Sequence, residues 1–112
     1  MLKDIAKTNS NNSQKLMIYD ARSYVAALAN RVTKGGYENT KDYYTHCEIE
    51  FLDIDNIHGV RDAITKVYEM GLVPNLLANS SKLMTSLDNT NWLQIISKIL
   101  TGVNKIINTL KI

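Results

Sequence analysis

The fold is decided by a strand and a helix that lie together in residues 47–67, CEIEFLDIDNIHGVRDAITKV. In the first part of this stretch, Cys47 to Ile54, apolar side chains fall on both faces of an extended chain, which predicts a mostly buried strand. Asn56 is predicted to cap the helix that follows, and Gly71 and Pro74 are predicted to end it. Within that helix the apolar period is three or four residues, at Ile57, Val60, Ile64 and Val67.

A similar strand and helix precede this stretch. Leu16 to Tyr19 form an unbroken apolar run, which predicts a buried strand over residues 15–20, and the alanine-rich residues 21–32 predict a helix. Residues 1–14 predict a weak helix followed by a polar loop. The order of elements therefore predicts an α/β domain with two buried strands and a helix after each, its main segment being residues 15–112.

A long amphipathic helix is predicted at the C-terminal end. Apolar residues recur every three or four positions from Trp92 to Leu110, which predicts about 20 helical residues spanning about 30 Å. Asp88, Asn89 or Thr90 is predicted to cap its start. Apolar side chains cover well over half of its circumference, so burial in a core is favoured over a position on a membrane surface. Between the two last helices, residues 76–86 predict a loop with one short helix.

Composition excludes several classes of function. The chain of 112 residues has a net charge of +2, whereas proteins that bind nucleic acid as their main ligand usually carry dense basic patches. Its single cysteine forms no disulfide framework, and no apolar run approaches the ~20 residues that span a bilayer. These features predict a soluble cytoplasmic protein that binds no nucleic acid.

The cysteine and the histidine of the strand–helix stretch do not predict a catalytic or metal site. The residue six positions after Cys47 is Asp53, no glycine-rich loop follows, and the chain holds no Cys-x5-Arg motif, so a structural role is predicted for Cys47. His58 has no second ligand at metal-binding spacing. We therefore expect no cofactor and no metal.

Several segments, taken in order and spacing, resemble the myotubularin family: KLMIYDAR (15–22), ALAN (27–30), GGYE (35–38), FLDI (51–54), NIH (56–58) with Arg61, and TNWL (90–93). The resemblance covers residues 1–112 and implies an incomplete, partial cysteine-phosphatase-like domain. Members of the family remove the 3-phosphate from phosphatidylinositol 3-phosphate and 3,5-bisphosphate. Their nucleophile lies in a His-Cys-Ser-Asp-Gly-Trp-Asp-Arg loop, which we expect to follow the last helix. The 112 residues are therefore expected to be inactive alone.

The same resemblance implies three residues that bind substrate, namely Asn30, Asn56 and Ile57. Asparagine amides suit inositol hydroxyls and phosphate oxygens, and for Asn56 both helix capping and headgroup binding remain open. Ser23, Lys34 and Gly59 depart from the family pattern. The implied partners are a phosphoinositide headgroup, other myotubularin chains in a homo- or hetero-oligomer, and a membrane surface, such as that of endosomes, contacted peripherally.

Three alternatives stay open at this point. The chain is either part of an active phosphatase or a catalytically inactive pseudophosphatase that binds phosphoinositide or regulates a partner. Without the resemblance, the sequence predicts a small helical interaction module that docks against another helix through residues 92–110.

Overall fold

The computed structural model describes residues 4–5, 15–33, 35–37 and 45–110. Within them the fold is α/β, as predicted, with two parallel strands, four α-helices and a short 3-10 turn. In chain order the elements are β1 (Leu16–Asp20), α1 (Tyr24–Val32), β2 (Cys47–Phe51), α2 (Ile57–Gly71), the 3-10 turn (Leu76–Ala78), α3 (Ser80–Asn89) and α4 (Trp92–Leu110). Of the predicted N-terminal helix, Asp4 and Ile5 are helical. The predicted loop at residues 8–14 and Lys34 lie outside the described residues.

The chain divides into two units. The first comprises Met1–Asp53 with Ile106–Ile112, and the second comprises Ile54–Lys105.

The first unit is built on the parallel pair of β1 and β2. Leu16 is paired with Cys47 and Asp20 with Phe51, and a hydrogen bond from Leu52 N to Asp20 O (2.8 Å) extends the ladder. Cys47 is buried, but every residue of β1 is half-buried. The prediction of two buried strands is therefore wrong for every strand residue except Cys47, because among the described residues no helix packs extensively over either face of the sheet.

The helix α1 begins three residues later than predicted. Ser23 has extended backbone, and its hydroxyl oxygen accepts a hydrogen bond from Ala26 N (3.1 Å), so it is the N-cap of the helix. Ser23, which departs from the family pattern, thus serves to cap this helix. Ala27 is fully buried. The rings of Tyr24, Tyr37 and Phe51 pack at steep angles against one another with centroids 5.2–5.9 Å apart.

The second unit begins with α2, whose predicted start and end are confirmed. Asn56 is its N-cap, and Leu72 closes it after Gly71 with hydrogen bonds from its N–H to two carbonyl oxygens of the last turn. The predicted apolar stripe is shifted, however. Ala63 is the buried residue of this helix, while Ile57 and Ile64 are exposed. The apolar period predicted the helix correctly and its packing side in part, since Val60 and Val67 of the predicted stripe are half-buried.

The segment predicted as a loop with one short helix is more regular than expected. The 3-10 turn is followed by the ten residues of α3, capped by Asn79, whose side-chain oxygen accepts from Lys82 N (3.0 Å). Both elements contact α2. None of the residues of α3 is buried. The sequence of this helix accordingly has no clear stripe of apolar residues at helical spacing.

The long helix α4 is confirmed and begins at Trp92. Of the three predicted caps, Thr90 is the one that contacts this start. The Thr90 hydroxyl donates to Leu87 O (2.6 Å) and accepts from Trp92 N (3.2 Å). Only Ile95 and Gly102 of this helix are buried, and the predicted burial in a core does not extend to its exposed apolar residues, among them Leu93, Leu100, Val103, Ile107 and Leu110. Among the described helices, none has both the length and the apolar character needed to cross a bilayer.

Candidate functional site

Asn56 lies at the start of α2 and uses one side of its amide group to cap the helix. Its Oδ1 atom accepts hydrogen bonds from His58 N and Gly59 N, both at 3.0 Å. Because the amide is planar, Nδ2 lies on the opposite side of Cγ from the oxygen that faces the helix. The cap therefore leaves the two N–H donors of Nδ2 on an exposed residue, beside the positive end of a helix of 15 residues.

Ile57 is the first residue of α2, and 69% of its surface is exposed. An apolar side chain left in solvent at a helix start contributes little to the stability of the unit. Its backbone N–H lies in the same first turn as the two that Asn56 binds. At the start of α2, Asn56 thus presents a side-chain amide, and Ile57 presents a main-chain amide and an apolar side chain.

Asn30 lies in the last turn of α1, in the first unit, whereas Asn56 and Ile57 belong to the second. Its carbonyl oxygen accepts from Gly35 N (2.9 Å), Thr33 N (3.2 Å) and Thr33 Oγ1 (3.1 Å), which closes the C-terminal end of the helix. A Cβ atom at Gly35 would lie 3.1 Å from that oxygen, so a side chain there would crowd the turn. The main chain of Asn30 is occupied, and its side chain is exposed.

The first unit also holds a polar cluster just beyond the carboxyl end of β1. Arg22 makes a two-pronged ion pair with Asp20 (Nε to Oδ1 2.9 Å, Nη2 to Oδ2 2.6 Å) and donates from Nη2 to Gly36 O (2.7 Å). These side-chain hydrogen bonds lower the pKa of Asp20 and outweigh the opposite effect of burial. An open cavity of about 510 Å³ is lined by this pair and by Tyr37. Since Nε and Nη2 are already bound within the protein, the pair mainly fixes the loop after β1.

A second polar cluster, in the second unit, was not predicted. Asp55, the residue before the N-cap, accepts a hydrogen bond from Asn91 Nδ2 (3.1 Å) and lies 3.6 Å from Lys98 Nζ. Asn91 has a left-handed backbone conformation with φ of 63°. A Cβ atom at Gly59 would lie 3.2 Å from both the Cβ and Oδ2 atoms of Asp55. The unusual glycine in the first turn of α2 therefore gives the Asp55 carboxylate room.

Cys47 is buried at the start of β2, as a structural residue would be. Asp53, six positions later, has φ of 54° and lies in the connection to α2, where its N–H donates to Arg22 O (3.3 Å). In the part of the chain that the structure describes, no group of three His, Cys, Asp or Glu residues is placed to hold a metal ion.

Comparison with known proteins gives consistent matches over most of the chain. The family model of the myotubularin-like phosphatase domain matches residues 1–112. The chain is 43% identical to myotubularin of Xenopus laevis over 99 residues, which is 88% of this chain and 16% of that protein. It is 40% identical over 97 residues to the phosphatidylinositol-3,5-bisphosphate 3-phosphatase MTMR3 of Caenorhabditis elegans, covering 87% of this chain and 9% of that protein. The chain thus spans less than a fifth of the length of these relatives.

Proposed function

The chain belongs to the myotubularin-like phosphatase domain family, and we propose that it forms part of the headgroup-binding wall of a phosphoinositide 3-phosphatase domain. In this proposal the domain has the cysteine-phosphatase fold, and Asn30, Asn56 and Ile57 contact the inositol ring or its phosphates. The substrates are phosphatidylinositol 3-phosphate and 3,5-bisphosphate. The names of relatives from Caenorhabditis elegans and Homo sapiens, both phosphatidylinositol-3,5-bisphosphate 3-phosphatases, support this substrate class.

The geometry of Asn56 is the observation that carries the proposal. A residue that only capped the helix would need an acceptor, and aspartate or serine would serve as well. Asparagine adds two donors that the cap does not use, next to helix amides that favour an anion. Uncharged donors of this kind suit a ligand that carries both hydroxyl groups and phosphates.

Cleavage of the phosphate ester is not assigned to these 112 residues. The attacking group in a cysteine phosphatase is a thiolate with a lowered pKa, held in a loop with an arginine six residues later. The one cysteine of this sequence is buried in a strand and has Asp53 at that position. We therefore propose that the chain supplies headgroup contacts at a cytoplasmic membrane surface, either within a larger active phosphatase or as a pseudophosphatase.

The proposal is tested by binding of the 112-residue chain to phosphatidylcholine vesicles that contain phosphatidylinositol 3-phosphate, with unphosphorylated phosphatidylinositol as the reference lipid. Asn56→Ala is expected to weaken binding. Asn79→Ala is the matched control, because Asn79 caps α3 through the same kind of hydrogen bond. Equal binding to both lipids, or equal effects of the two substitutions, would count against the proposal. Dephosphorylation of the lipid by the chain, abolished by Cys47→Ser, would contradict the assignment of Cys47.

A second candidate function is favoured by the exposed apolar residues of α4. A helix with apolar side chains on several sides can dock against a second helix, as in an interaction module or an oligomer of family members. Sedimentation velocity of the purified chain tests this candidate, which predicts self-association that rises with concentration.

A further inference from the structure

A carboxylate stands next to the proposed headgroup contact, where its charge is unfavourable. Asp55 directly precedes Asn56, and phosphoinositide headgroups carry several negative charges. A carboxylate close to an anion site raises the free energy of the bound state by Coulomb repulsion. A chain that binds a headgroup at the start of α2 therefore has to compensate this charge.

The structure contains such a compensation. Lys98 Nζ lies 3.6 Å from Asp55 Oδ1, and Asn91 Nδ2 donates to Oδ2 at 3.1 Å, so both oxygens face a positive or hydrogen-bonding group. The side chains of Asp55 and Lys98 are only 28% and 35% exposed, respectively. Screening by solvent is weaker for a partly buried pair of this kind than for a fully exposed one.

The Asp55 carboxylate also lies close to the helix cap. The carboxylate packs beside Gly59, and Gly59 N is one of the two donors that Asn56 binds. The carboxylate that Lys98 neutralises therefore lies against the same turn of α2 that Asn56 caps.

We infer that Lys98 is a positioning residue for headgroup binding, which neutralises Asp55 and holds it so that Asn56 and the first turn of α2 can accept an anionic phosphate. This inference rests on the proposed function. In it Lys98 does not touch the headgroup; it acts through Asp55. The distinction can be tested. If Lys98 bound the phosphate directly, replacing Lys98 would weaken binding whether position 55 held aspartate or asparagine.

The experiment compares Lys98→Gln with the double variant Asp55→Asn/Lys98→Gln in vesicle binding to phosphatidylinositol 3-phosphate. An unneutralised carboxylate about 10 Å from a doubly charged phosphate in water should weaken binding roughly fourfold. Lys98→Gln is expected to show this loss, and the double variant to regain wild-type affinity, since the amide oxygen introduced at position 55 still accepts from Asn91. The loss should shrink in high salt. Soluble inositol 1,3-bisphosphate as competitor distinguishes headgroup recognition from attraction to the charged vesicle surface.

Lys66→Gln is the matched control. Lys66 pairs with Asp62 on α2 at 2.7 Å, so its loss leaves an unpaired carboxylate and the same net charge, about 9 Å along the helix from Asn56. Asp62 and Lys66 are more exposed than Asp55 and Lys98, so salt screens this carboxylate more strongly, and Lys66→Gln is expected to lose less affinity than Lys98→Gln. Far-UV circular dichroism checks that each variant is folded, and Lys98→Arg, which keeps the charge, should bind normally if Lys98→Gln does not fold.

Three results would overturn the inference. If Lys98→Gln binds like Lys66→Gln while Asn56→Ala is weakened, Lys98 has no role in binding and the proposed function stands. If the double variant stays as weak as Lys98→Gln, Lys98 acts on the headgroup directly. If the wild-type chain itself does not bind, the proposed function fails and the inference with it.

Discussion

Replacing Asn56 by aspartate and by alanine separates its role in the helix from its role in binding. Both oxygens of aspartate can accept the hydrogen bonds from His58 N and Gly59 N that Asn56 accepts at 3.0 Å, whereas alanine accepts neither. Loss of an N-cap acceptor costs about 1 kcal/mol of folding free energy, which is roughly a fivefold change in the folding equilibrium. Asn56→Ala should therefore destabilise the chain by about 1 kcal/mol, and Asn56→Asp should not.

Headgroup binding should respond in a different way. Asn56→Asp keeps the cap but removes both N–H donors and adds a negative charge, so it should lose binding at least as completely as Asn56→Ala. Urea denaturation followed by circular dichroism gives the stability, and vesicle binding gives the affinity. Hydrogen exchange of the His58 and Gly59 amides reports the cap itself, and both should exchange faster in the alanine variant alone. A stable aspartate variant that still bound phosphatidylinositol 3-phosphate would refute the assignment of Asn56 to the headgroup.

Three further predictions concern the rest of the molecule. Because the pKa of Asp20 lies below its ordinary value of 3.8, the stabilisation from its pair with Arg22 is present above about pH 4 and lost as pH falls through the folded-state pKa; urea denaturation of Asp20→Asn should lack this loss. Thr90→Val should cost about 1–2 kcal/mol in the same assay, since the buried hydroxyl joins the end of α3 to the start of α4. Leu100→Glu, on the exposed face of α4, should reduce self-association in sedimentation velocity and change stability by less than about 0.5 kcal/mol.

Much of the secondary structure was predictable because it depends on neighbours in sequence. The cap at Asn56 and the length of α4 follow from residue types at fixed local spacing, and both are confirmed. The predicted start of α1 was wrong because the hydroxyl of Ser23 turns the chain into the helix only at Tyr24. The helix α3 was underestimated because none of its residues is buried. A helix that buries none of its residues needs no regularly spaced apolar side chains, so its sequence shows no clear apolar period.

Some features of the candidate site could likewise be predicted from the sequence, and others could not. The sequence alone determined the family, the two successions of a strand and a helix, and the residue types at positions 30, 56 and 57, because these depend on local order and spacing. The tertiary structure alone decided that Asp55 meets Asn91, 36 residues away, and Lys98, and that Ile57 is exposed while Ala63 is buried. The hydrophobic period indicates that a segment is helical. Which side of the helix is covered, and which distant charge lies beside its first turn, depends on how the elements pack.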